Sequence, residues 1–143
     1  MLRRLWNKMQ SGKCLSNLNS DAALLEELEK ILERQEQDAE RRLAKSWYFG
    51  DTGKWVQIAA WDARGAFDNS IKGALEENSL EPILFAVTEA CARFRDNYHL
   101  EDEDGYGTAT FAEILRDLLK LQKARGEKGK YDLDELWSIT YKY

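Results

Sequence analysis

The chain predicts an α-dominated α+β domain of four to five helices with a small antiparallel sheet. Three observations carry that reading. Residues 21–45, 79–98 and 111–123 each place apolar side chains at helical spacing. Bulky residues flank a Gly/Asp turn at 50–53, as in a hairpin. The end of the chain alternates, with Trp137, Ile139, Tyr141 and Tyr143 on one side and Ser138, Thr140 and Lys142 on the other.

The first candidate helix lies within 1–9, where Leu2, Leu5, Trp6 and Met9 fall at helical spacing among Arg3, Arg4 and Lys8. Nine residues bury little area, so docking of Trp6 onto the chain's own domain is preferred to a membrane surface. Ser20 or Asp21 then caps a long helix that runs to about Lys45. Its stripe is Leu25, Leu28, Leu32, Ala39 and Leu43, interrupted by Gln35. Acids crowd its start, and Arg41, Arg42 and Lys45 its end, which complements the helix dipole.

Residues 47–49 and 54–61 read as the hairpin strands around Gly50-Asp51-Thr52-Gly53, and Trp55, Val56, Ile58 and Trp61 make the second the stronger. Residues 62–70 are rich in turn formers, and 71–77 suit a short helix. Ser79 caps the next helix, with Pro82 in its first turn and Leu84, Val87, Cys91, Phe94 and Tyr98 on its apolar face. Another helix runs from Phe111 to about Lys123 through Ile114, Leu115, Leu118 and Leu121. Residues 125–130 form a basic, glycine-bearing connector. The segment 136–143 reads as a strand paired with 54–61, unless Asp132 and Glu135 cap a last helical turn instead.

One domain, 1–143, suits this length, which is enough to bury a core without staples. With 43% apolar and 33% charged residues the chain is a folder rather than a disordered segment. Its charge is uneven. Residues 1–20 hold four cations and no acid, so a net −5 leaves the body, 21–143, at −9. An acidic body argues against general nucleic-acid binding, because phosphate contacts need clustered Lys and Arg. Cys14 and Cys91 give neither a disulfide framework nor zinc spacing, which fits a reducing compartment. No apolar run is long enough to span a bilayer and no signal-peptide core follows the basic start, so the expected location is cytoplasmic without a membrane partner.

One segment suggests a specific chemistry. In Asp102-Glu103-Asp104-Gly105-Tyr106-Gly107-Thr108-Ala109-Thr110-Phe111-Ala112-Glu113, Asp102 and Asp104 stand first and third, Gly107 sixth and Glu113 twelfth. Calcium takes roughly six to eight hard oxygen ligands, and a loop supplies them by alternating early carboxylates, turning at a glycine and closing with a bidentate glutamate. Thr108 would add its carbonyl and Thr110 a bridging water. With its flanks, 94–121 resembles a single helix–loop–helix of the EF-hand family, of the calmodulin type. The resemblance implies Ca2+ held by Asp102, Asp104, Thr108, Thr110 and Glu113. Tyr106 and Ala109 depart from the family pattern, and no sister loop is present. The same letters also spell a capping box, Thr110-x-x-Glu113, ahead of an apolar run, and this is the preferred reading. Trp47, Ile71-Lys72-Gly73-Ala74-Leu75 and residues 110–115 are together similar to an uncharacterised family of small bacterial and phage proteins. That similarity implies a bacterial or phage origin, assigns no chemistry and favours the capping box.

No catalytic constellation stands out. His99 is the only histidine, and 50–54 fails the spacing of a phosphate loop. The expected function is therefore a non-catalytic cytoplasmic interaction factor, a phage or bacterial accessory protein or inhibitor. Its acidic surface would meet a protein partner with a basic one, imitating nucleic acid. Trp55, Trp61, Trp137 and Tyr141 are the expected partner-binding anchors. No cofactor is expected under this reading. The alternative is a single-site EF-hand-like calcium-binding module.

Overall fold

Alanine spacing decides the architecture. Trp55, Ala59, Ala63, Phe67, Ile71 and Ala74 recur at helical intervals and are all buried, so one helix absorbs the whole stretch from Thr52 to Glu77. The computed structural model describes residues 20–140 and, among these, places six helices and no strand. They are α1 Asp21–Ala44, α2 Ser46–Phe49, α3 Thr52–Glu77, α4 Glu81–Tyr98, α5 Tyr106–Ala124 and α6 Leu133–Ile139.

The expected α+β class with an antiparallel sheet is thereby overturned. The proposed strand 54–61 is the first part of α3, and the turn-rich 62–70 is its middle. Its bulky residues alternate only locally. Trp61, the last of them, faces solvent, while the small alanines between them let α3 approach its neighbours closely. Burial on a helical period overrides strand propensity, which depends strongly on context. Gly65 sits inside the helix with open space around it, a cost of about 1 kcal/mol that the packing absorbs. The other hairpin arm, 47–49, is the short turn α2. The described part of the proposed C-terminal strand is helical too. The Asp132/Glu135 capping box forms and α6 buries Leu136. Residues 1–19, with their proposed helix, and 141–143 lie outside the described residues.

α3 packs against α1, α4 and α5 and forms the centre of the bundle. Phe67, Phe94 and Phe111 are fully buried there with Leu25, Leu28, Leu32 and Ile71. α1 begins as expected, with the Ser20 hydroxyl accepting from the Ala23 amide at 3.2 Å. Gly53 lets α3 meet the end of α1, since a Cβ there would lie 2.8 Å from the Leu43 nitrogen. The entry to α4 is built from two segments. The Ser79 hydroxyl accepts from the Glu81 amide at 3.1 Å, and Glu127 of the distant connector accepts from the Leu80 amide and the Ser79 hydroxyl at 3.0 and 2.7 Å.

Candidate functional site

Two groups of carboxylates stand apart from the core. The first is the joint between α4 and α5, which contains the calcium-like segment. α5 starts at Tyr106, five residues ahead of the expected Phe111, so Thr108, Thr110 and Glu113 are helical residues. The capping box at Thr110/Glu113 does not form at this helix start. The Thr110 hydroxyl instead donates to the Tyr106 carbonyl at 2.9 Å, and the Glu113 carboxylate accepts from Gln35 of α1 at 2.7 Å.

Asp102 anchors the helix start. Its two oxygens accept from the amides of Tyr106 and Gly107, each at 3.0 Å, so it answers the first two orphan donors of α5 from a buried position. Gly105 makes the preceding turn at φ +72°, a conformation that suits glycine. Gly107 is a glycine for a different reason, because a Cβ there would overlap the Phe94 ring. Tyr106 packs its ring 5.2 Å from the Arg42 guanidinium. Asp104 is exposed. Among the described residues no group of three or more His, Cys, Asp or Glu side chains is arranged to hold a metal ion. The residues the EF-hand resemblance implied therefore do not converge as the oxygen shell calcium needs, and no chemistry is derived through that ion.

The second group lines a groove of about 320 Å³ between α1 and α3. Glu33, Glu36, Gln37 and Glu40 come from α1, and Gln57 and Trp61 from α3. Glu36 shares Arg64 with the buried Glu29. Arg64 Nη2 and Nε donate to Glu36 at 2.6 and 3.0 Å, and Nη1 and Nη2 donate to Glu29 at 3.0 and 2.9 Å. Burial by itself would lower the Arg64 pKa. The Glu36 and Glu29 carboxylates outweigh it and hold the guanidinium above its ordinary value. Glu33 and Glu40 hold no ion pair among the described residues. Among the described residues, the lining Glu33, Glu36 and Glu40 with Glu29 behind them, against Arg64, give three net negative charges.

Of the expected partner anchors among the described residues, Trp61 stands at a surface, 59% exposed on the wall of the groove. Trp55 is core, packed on Phe94 and Tyr98 with ring centroids 6.3 and 5.5 Å apart. Trp137 is half-buried beneath the Arg95 guanidinium, 5.5 Å from its ring centroid. Tyr141 lies outside the described residues. The two most exposed aromatics among the described residues, Trp47 and Tyr48, were read as strand residues. Their signal was that no apolar residue follows either of them three or four positions on, where Gly50, Asp51 and Thr52 stand.

Among the described residues the remaining reactive groups form no site. His99 is exposed at the end of α4. Burial pushes the Cys91 thiol up to about 12, with Arg95 opposing only weakly, so it is a packing residue. No helix among the described residues is long and apolar enough to cross a membrane. Comparison with known family models, with curated proteins and with solved structures finds no match.

Proposed function

We propose that this protein is a non-catalytic, cytoplasmic interaction factor that receives a basic segment of a protein partner in the α1–α3 groove. The observation that supports this reading is the pairing of Trp61 with Glu33 and Glu40. An exposed indole stands beside two carboxylates that hold no ion pair among the described residues, on two well-packed helices. Carboxylates attract a Lys or Arg side chain at long range, and the indole face offers it a close cation–π contact. The helices hold both in place before binding, so little ordering cost falls on the complex. A role as a bacterial or phage accessory protein or inhibitor rests on the sequence similarity alone.

The test is affinity capture from bacterial lysate on immobilised chain, wild type against Trp61→Ala and Glu33→Lys/Glu40→Lys. A specific partner is expected on wild type in low salt, eluted by high salt and absent from both variants. Capture of no partner, or of one indifferent to salt and to these substitutions, contradicts the reading.

A further inference from the structure

The turn α2 forms an aromatic knob at the end of α1. Trp47 and Tyr48 are 83% and 73% exposed, and Leu43 lies exposed a turn before them. The knob is fixed rather than loose. Trp47 meets Tyr48 edge-on at 6.0 Å, Tyr48 meets Phe49 edge-on at 4.9 Å, and the Arg41 and Arg42 guanidiniums lie 5.0 and 5.1 Å from the Phe49 ring centre. Exposed apolar clusters of this kind mark contact surfaces, and rigid aromatics are their usual anchors.

The charge around the knob narrows the occupant. Arg41, Arg42, Lys45 and Lys54 against Asp38 and Asp51 leave it two charges positive. The α1–α3 groove, three charges negative, begins at Glu40. Glu40 stands in the last turn or so of α1, and α2 opens at Ser46, two residues past the end of α1 at Ala44. One chain thus carries side by side a basic aromatic projection and an acidic groove with an aromatic wall. An anionic lipid surface would be repelled by that neighbouring groove, whereas a second copy presents a complementary patch to each.

We infer that the chain self-associates about a two-fold axis between these patches, the Trp47/Tyr48 knob of each copy seated in the Glu33/Glu40/Trp61 groove of the other. A two-fold axis makes both contacts at once and closes the assembly at two copies, where a head-to-tail arrangement would make one contact per junction and give a larger ring or an open filament. This inference rests on the groove of the proposed function, where a foreign basic segment would compete with the knob, but needs no foreign partner, so sedimentation of the pure chain tests it separately.

Sedimentation velocity of the full chain over a concentration series, in low and high salt, gives the answer. The expected result is a monomer–dimer equilibrium weakened about tenfold or more by salt. Trp47→Ala/Tyr48→Ala is expected to sediment as a monomer with wild-type circular dichroism, because both side chains are exposed. Glu33→Lys/Glu40→Lys is expected to be monomeric, and adding Lys45→Glu/Lys54→Glu to restore the dimer. A wild-type chain that stays monomeric in low salt overturns the inference. So does a dimer that survives the knob substitutions, or a mass that grows without limit with concentration.

Discussion

At the α4–α5 joint the Asp102 carboxylate is buried and both of its oxygens receive backbone amides. In the α1–α3 groove Glu33 and Glu40 line open space, with no ion pair among the described residues. The comparison teaches that a carboxylate's role follows from the donors its backbone surroundings leave over. A helix start exposes amides that need an acceptor, so Asp102 is absorbed into the fold. A helix flank has its amides already bonded, so acids there answer only to side chains, and Arg64 answers two of the four. In the segment that looks most like a binding loop the Asp102 carboxylate caps a helix, and the proposed recognition falls to the plain charged face.

The largest effect that would sharpen this contrast is expected at Arg64, where the groove meets the core. Arg64→Met removes the guanidinium that holds the buried Glu29 carboxylate and should cost about 3 kcal/mol, read as a lower urea midpoint. A variant as stable as wild type would mean that Glu29 reaches water. Gly107→Ala comes next. Its methyl group would overlap the Phe94 ring, and the loss should be about 2 kcal/mol after the small gain in helix propensity. A neutral or stabilising alanine here would place the joint elsewhere. Asp102→Ala should cost about 1.5 kcal/mol through two lost amide bonds at the start of α5, with or without calcium. A destabilisation seen only with calcium present would restore a metal role for the segment. The smallest stability effect belongs to Trp61→Ala, expected within about 0.5 kcal/mol of wild type because the ring is largely exposed.

Much of the bundle was legible in the sequence where a cap and a leucine stripe agree. α1 runs from the Ser20 cap through Leu25, Leu28 and Leu32, close to its expected bounds. α4 carries Pro82 in its first turn and buries Leu84, Val87, Cys91 and Phe94. α3 was not legible, because its contact face is made of alanines, which weigh little in an apolar stripe. The larger Trp55, Val56, Ile58 and Trp61 imitate a strand on their own. The start of α5 was hidden for a related reason. Its acceptor, Asp102, acts across the Gly105 turn, while Thr110 and Glu113 spell a cap one turn inside the helix. The acids at 33, 36 and 40 were visible as a helical flank. Which of them meet an arginine depends on where α3 lies, and no spacing rule within α1 carries that information.

Capture on three immobilised forms, wild type, Glu33→Lys/Glu40→Lys/Trp61→Ala and Asp102→Asn, tests the central claim most directly. The account predicts one partner held equally by wild type and Asp102→Asn and lost from the groove variant. A partner kept by the groove variant and lost from Asp102→Asn would contradict it, and would return the function to the 102–113 segment.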